Sequence, residues 1–342
     1  MTQFLSRRTL LGTGAALLAA PGVLRAQGAL PKLRYTLDWA LQGPNAHTLL
    51  ARDKGFFREA GVEATVDRGF GSGRVPVDIA GGAYDMGQSD INTVIKFIAE
   101  NPSAGLVVCG IWGDASLLSA TVRADGPIRT PKDLEGKTLA APESDAGRQL
   151  FPAFAKAAGI DASKITWMTV NPELREPMLV QRRADGITGL STSTGLSLKA
   201  LGMDWPQQRI LYYREAGLQL YGTAFLTTRG FIQRNPEAAK AGMKALFRGL
   251  VYANANRAEC IANLKRVESL TDVAIETERQ AVAFDQMMIT DNTRRNGIGA
   301  VDTDRLTRAV RIVEEAYGLA PKLKVEDVYT DVLLPPAAER ML

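Results

Sequence analysis

Five short clusters, most of them where a strand should give way to a helix, hold the residues that could do chemistry in this chain. The first is Leu37-Asp38-Trp39 followed by Gly43-Pro44-Asn45-Ala46-His47. In open α/β sheets, ligands bind outside the carboxyl ends of strands, and a helix N-terminus adds free N–H groups and positive potential there. Trp39 offers a flat apolar face with one donor, and Asn45 offers both donor and acceptor. Equally, Trp39 could be core, Asn45 a helix cap and His47, the single histidine of the chain, a structural residue. The second cluster is Gly69-Phe-Gly71-Ser72-Gly73-Arg74, whose glycines allow close backbone approach and whose arginine could pair with an anion. Gln88-Ser89-Asp90 is the third, with Asp90 either facing a ligand or capping the next helix. Ser144-Asp145-Ala146-Gly147 and Ser191-Thr192-Ser193-Thr194 repeat the strand-to-helix pattern further on. Their hydroxyls would serve as caps or as ligand donors.

None of these groups forms a complete catalytic pattern. A Ser-His-Asp site would have to use His47, and no Gly-x-Ser-x-Gly elbow accompanies it. The sequence has no paired histidines and no close cysteine pair, so metal-ligand spacing is missing and no cofactor is expected. There is no Walker loop, and no dinucleotide fingerprint follows a strand.

The elements that must position these clusters alternate in type. Leu33 to Trp39 alternates apolar and polar residues like a half-buried strand, His47 to Ala60 has helical periodicity, and Glu63 to Asp67 reads as a second strand. Further strands are expected at 84–87, 105–111, 137–141, 165–169 and 185–190, with helices between them. One of those helices, 173–183, contains Pro177 and should kink or break there. From about Gly230 the pattern turns helical, over 236–255, 271–287 and 302–317, with a final strand or loop at 325–334. This is an α/β class with largely parallel sheets. Ala80 to Gly87 and Gln181 to Ile187 resemble each other weakly, as two related lobes would.

The chain has 342 residues, 46% of them hydrophobic, enough for two domains. Residues 1–26 read as an export signal: an arginine pair, a short apolar run rich in Gly and Ala, and a small residue at Ala26. Ser6-Arg7-Arg8-Thr9-Leu10-Leu11 is similar to the twin-arginine signal of bacteria. A periplasmic location is expected, and the absence of a cysteine just after Ala26 argues against a lipid anchor. With Arg7, Arg8 and Arg25 set aside, 38 of the 41 basic residues remain against 37 acidic ones. The sequence pI near 9.0 therefore belongs to the signal, and no nucleic-acid partner is expected. No later apolar run is long enough to span a membrane. Cys109 and Cys260 both look like small buried hydrophobes, although an oxidising compartment would permit a bridge between them.

Trp39 through Phe57, with Asn45-x-His47 and Ala51-Arg-Asp-Lys-Gly55-Phe56-Phe57, resembles the opening of the thiamine-pyrimidine family of periplasmic binding proteins. That family belongs to a larger set with sulfonate, taurine and nitrate binders. Glu59-Ala-Gly61-Val62, Gly82 to Gly87 and Asp133-Leu-Glu-Gly136-Lys137 extend the resemblance from about Leu33 to Tyr317. It implies a two-lobed, type II periplasmic binding fold that passes a small solute to the membrane permease of an ABC importer, acting as a monomer and not as an enzyme. Lobe one would be residues 31–120 and 223–342, lobe two residues 121–222, with two chain crossings as the hinge.

The family's Trp-x-Pro-Asn-x-x-His pattern maps onto Trp39, Asn45 and His47. Here Leu41-Gln42-Gly43 stand between Ala40 and Pro44, and only Ala46 separates Asn45 from His47. The expected ligand set is Trp39, Asn45, His47, Ser72, Arg74, Ser89 and Asp90 from lobe one and Ser144, Asp145 and Thr192 from lobe two. Trp39 would stack on a flat ring. The expected ligand is a pyrimidine-like thiamine precursor or a related heterocycle; the alternative is a sulfonate, nitrate or other small anion held by Arg74 and helix N-termini. A rival of another class is an exported enzyme centred on His47, and a second is a ligand-sensing partner of a membrane receptor. Relatives that synthesise the thiamine pyrimidine use a cysteine-rich iron motif that this chain lacks.

Overall fold

The computed structural model of the protein describes residues 29–342, so the expected signal at 1–26 lies outside the described residues. The chain starts in one sheet, leaves for a second and returns. The first sheet is opened by β1 (Lys32–Thr36), β2 (Glu63–Asp67), β3 (Met86–Asp90) and β4 (Leu106–Ile111). The chain then crosses to β5 (Leu118–Arg123), β6 (Thr138–Ala141), β7 (Thr166–Thr169), β8 (Gly186–Leu190) and β9 (Gln208–Tyr212), and comes back as β10 (Thr223–Thr228). The strand orders are β2-β1-β3-β10-β4 and β7-β6-β8-β5-β9. Helices flank both sheets, giving two α/β lobes.

The sheets are mixed rather than largely parallel. β1 pairs parallel with β2 and β3, and β6 pairs parallel with β7 and β8. By contrast β10 runs antiparallel to β3 and β4, and β5 runs antiparallel to β8 and β9. The antiparallel strands enter by the crossings. They need no helical return, so the strand–helix alternation that signals parallel pairing is missing there.

Pro177 does not break a helix. A 3-10 turn over Pro172–Leu174 leads into a short helix, Arg175–Val180, and Pro177 stands in its first turn, where no backbone donor is needed. The helical tail follows expectation at Pro236–Ala255 and Thr303–Ala316, and adds a helix at Arg257–Val267. The helix Val273–Ala283 passes directly into a π turn, Phe284–Met288. Residues 325–334 are no full strand; they hold the short helix Val325–Val328 and a single bridge between Tyr329 and Val108. Cys109 and Cys260 are buried and unpaired. Cys109 Sγ lies 3.4 Å from the sulfur of Met243, and burial pushes both thiols above their ordinary range.

The packing ties the lobes at the back. One apolar cluster joins Ile91, Val94 and Ile98 beside the first sheet to Leu118, Leu139, Phe151 and Phe154 of the second. Leu306, Ala309, Val310 and Val313, on one face of the helix Thr303–Ala316, belong to the same cluster. A second cluster, with Tyr35, Trp112, Phe225 and Phe247, fills the other side of the first sheet. Among the described residues, no helix is long and apolar enough to cross a membrane.

Candidate functional site: a cavity between the two sheets

The loops after β1, β2, β6 and β8 face each other. Between them lies a cavity with about 530 Å³ of non-atom space, part of it open to solvent. Asp38, Trp39, Gln42, Asn45, Ser72, Trp112 and Thr223 line it from one side, and Asp145, Arg175, Leu190, Thr192 and Ser193 from the other.

On the first side the polar groups are knitted together behind β1. Gln88 donates from Nε2 to Asp38 Oδ1 at 3.0 Å and to Asn45 Oδ1 at 2.7 Å. Ser72 Oγ donates to the other Asp38 oxygen at 3.3 Å, and the Tyr35 hydroxyl donates to Gln88 Oε1 at 3.2 Å. Asp38 is buried, and loss of water raises its carboxyl pKa although those hydrogen bonds pull it back. Gly69 lets the second loop close on the first: a Cβ there would stand 2.1 Å from the Leu37 carbonyl oxygen.

On the second side Arg175 governs the arrangement. It is 1% exposed. Its Nε and Nη2 donate to Glu176 Oε1 at 3.0 and 2.7 Å, and Nη2 also reaches Ser193 Oγ at 3.2 Å. Nη1 donates to Asp145 Oδ2 at 2.9 Å and to the Thr188 carbonyl at 3.3 Å. A guanidinium has five N–H groups, so all five are engaged. Gly189 leaves the room this requires, since a Cβ there would lie 2.6 Å from Nη1. Asp145 also caps the helix Ala146–Ala158 through the Arg148 amide and accepts from Thr188 Oγ1 at 3.0 Å. Burial raises the Asp145 carboxyl pKa, against the pull of Arg175.

The two sides touch across the cavity. The Arg175 guanidinium sits 4.7 Å from the centre of the Trp39 ring, a cation–π contact. Ser144 Oγ donates to the Phe70 carbonyl at 2.6 Å, and the Gly73 amide donates to the Ser144 carbonyl at 2.9 Å. Arg279, on the helix Val273–Ala283, donates to the Thr192 and Ser193 carbonyls at 2.8 and 2.9 Å.

Of the expected ligand residues, Trp39, Asn45, Ser72, Asp145 and Thr192 line the cavity. The others stand elsewhere. Arg74 turns outward to Asp78 at 2.7 Å, because Gly71 and Gly73 turn their loop against Ser144 and not around an anion. Ser144 is spent on the contact with Phe70. Ser89 is buried and donates to the Ser72 carbonyl at 2.8 Å. Asp90 caps the helix Ile91–Glu100, and burial pushes its carboxyl up to about 7.

His47 stands behind the cavity, fully buried. Its Nδ1 lies 2.8 Å from the Pro44 carbonyl, which can only accept, so Nδ1 carries the proton. Nε2 then accepts from Thr48 Oγ1 at 3.1 Å. Both nitrogens are occupied and burial lowers the pKa to about 4, so the ring presents no free nitrogen to the cavity. Asp38 and Ser193 stand in the expected clusters but were not among the expected ligand residues, and Gln42, Trp112, Arg175 and Thr223 are further cavity residues outside that set. Trp112 follows a strand end, which is a signal that could have found it; Arg175 sits in a segment with no such mark. Among the described residues, no cluster of His, Cys, Asp and Glu could hold a metal ion.

The comparisons agree with this geometry. Residues 45–260 match the family model described as NMT1/THI5 like, well over half of the chain. The chain belongs to the NMT1/THI5-like family. No curated protein matches the sequence. Among solved structures the fold is similar to a protein from Bordetella bronchiseptica RB50, with a TM-score of 0.72 at 16% identity over 88% of this chain and 95% of that one. It is also similar to the periplasmic aliphatic sulphonate binding protein SsuA of Escherichia coli (TM-score 0.65, 16% identity, 87% and 92% covered). The periplasmic nitrate-binding protein NrtA of Synechocystis PCC 6803 gives a TM-score of 0.68 at 13% identity, with 91% of each chain covered. The fold is therefore that of the periplasmic binding proteins.

Two outcomes follow from the buried charges. Arg175→Ala strands Asp145 and Glu176 without their partner, and should cost about 3–5 kcal/mol in urea unfolding. His47 is neutral when folded and ionises more readily when unfolded, so it contributes stability above pH 6.5 that is lost as pH falls toward about 4. Asp90 acts with the opposite sign, since its raised carboxyl makes the fold more stable as pH falls from about 7. The His47 effect is therefore read as a difference: between pH 7 and pH 4.5, wild type should lose more unfolding free energy than His47→Asn, by about 2–3 kcal/mol.

Proposed function

We propose that this protein is the exported solute-binding component of an ABC-type importer, and that it closes its two lobes on a small flat nitrogen heterocycle that is neutral or cationic. A pyrimidine-like thiamine precursor is the ligand we favour. The lobe division we assign is residues 31–117 with 223–342, and residues 118–222, which shifts the expected boundary at 120 so that all of β5 stays in the second sheet. The two chain crossings, between β4 and β5 and between β9 and β10, act as the hinge. Differential affinity for the closed arrangement drives closure, and the closed form docks on the permease. The protein works as a monomer in the periplasm, reached through the signal at 1–26.

The observation that carries the ligand class is the charge inventory of the cavity. Two buried carboxylates, Asp38 and Asp145, line it. The single cation in that lining, Arg175, has no N–H left for a ligand. An anion entering here would meet two carboxylates and no unspent guanidinium, and its desolvation would go uncompensated. A heterocycle with exocyclic N–H groups can instead donate to the carboxylates while its ring lies against apolar lining such as Leu190 and Met287. Trp39 is then a wall of the cavity: one of its faces is already covered by Arg175, and a ligand has the other.

A thermal-shift screen against aminopyrimidines, alkanesulfonates and nitrate tests this reading. A ligand present at about 100 times its Kd adds roughly 2.7 kcal/mol of stability. An aminopyrimidine should raise the melting temperature. Asp38→Asn, which turns an acceptor-only group into one that also donates, should weaken that binding at least tenfold. Stabilisation by a sulfonate or nitrate alone would overturn the assignment.

A further inference from the structure

Trp112 stands directly after β4, on the first crossing between the sheets. Its backbone amide donates to the Thr223 carbonyl at 3.0 Å, which binds the outgoing crossing to the returning one. The side chain lines the cavity and is 1% exposed. Its indole Nε1 has no hydrogen-bond partner among the described residues. The aromatic neighbour nearest to it offers none: His47 packs edge-on at 5.5 Å, and both its nitrogens are committed to Pro44 and Thr48. A buried donor left unmade costs free energy, and such exceptions in native folds call for an explanation. An indole has one polar atom and can only donate. Trp112 borders the cavity, whose other lining residues leave its buried N–H without a partner.

We propose that Trp112 is the specificity-determining donor of this cleft, its indole N–H taking an unprotonated acceptor of the ligand, such as a ring nitrogen or a carbonyl oxygen. The inference rests on the heterocycle reading above and deepens it. The carboxylates of Asp38 and Asp145 ask the ligand for donors, and Trp112 asks for an acceptor on the same small body. A ring that carries both, such as an aminopyrimidine, satisfies all three residues. A site built to donate rejects an analogue lacking the acceptor, because the N–H is then left buried and unpaired. Since Trp112 lies on the crossing, the bond would also link ligand capture to the segment about which the lobes turn.

The test uses the full-length protein with 4-amino-2-methylpyrimidine and with 3-methylaniline, which has the same outline but C–H in place of both ring nitrogens. Wild type should bind the pyrimidine at least tenfold more tightly, and Trp112→Phe should lose about 5–10-fold of the affinity for the pyrimidine and little for the aniline. Because the smaller ring could disturb packing, a second readout uses wild type alone. Its four tryptophan indole N–H resonances can be assigned by Trp→Phe changes at positions 39, 167 and 205. The Trp112 resonance should move downfield when the pyrimidine is added. Pyrimidine binding with that resonance unmoved and Trp112→Phe unaffected would overturn the assignment. If nitrate or methanesulfonate moves the resonance and the pyrimidine does not bind, the donor role stands and the heterocycle reading falls.

Discussion

A guanidinium taken out of water must find an acceptor for each of its N–H groups, and most of the ligand cleft is arranged around how Arg175 does so. Five bonds are required, and the chain supplies them from Asp145, Glu176, Thr188 and Ser193. These residues come from the loop before one helix, from the end of β8 and from the start of the helix Ser191–Ala200. Satisfying one buried cation thus fixes three strand-to-helix transitions of the second lobe relative to one another. It also demands a residue without a side chain at 189, where any Cβ would crowd Nη1. Breaking such a pair is costly because the partners are stranded, even where the intact pair adds little net stability.

The same constraint sets the electrostatics seen by a ligand. Once Arg175 is spent, the cavity keeps its carboxylates and loses its only positive charge as a recognition element. The face of the guanidinium remains and is laid on Trp39 from the other lobe. One residue therefore neutralises its own lobe, meets the opposite one and leaves the cavity with an excess of acceptors. The lobes also meet where Ser144 contacts Phe70 and Gly73 and where the Arg279 guanidinium donates to the carbonyls of residues 192 and 193. Behind the cleft, the helix Thr303–Ala316 shares an apolar cluster with both sheets, so relative motion of the lobes must respect that packing.

How much of this the sequence disclosed depends on the range of the interactions involved. The βα units of each lobe were legible because local periodicity encodes them: Glu63–Asp67 and Pro236–Ala255 stand where the pattern placed them. β5, β9 and β10 were not read: β5 and β10 are entered by the crossings, with no α-helix before them, and β9 leads into a crossing. In the site, Trp39, Asn45, Ser72, Asp145 and Thr192 could be found because strand ends gather ligands. His47 was drawn in by chemical type, yet its position in the buried first turn of the helix Ala46–Asp53 sends it into the core. Arg74 was chosen for its charge, whereas the glycines beside it serve contact with the other lobe. Arg175 was invisible because its meaning lies in residues 13 to 30 positions away that only the fold brings together.

The central claim is that the cleft selects a neutral or cationic nitrogen heterocycle over an anion. Native mass spectrometry of the protein, purified without denaturation from cells that export it, tests this by weighing the solute that travels with the chain. The account predicts a small nitrogen-rich ring that is released on unfolding. A bound sulfonate, nitrate or other anion in its place would contradict it.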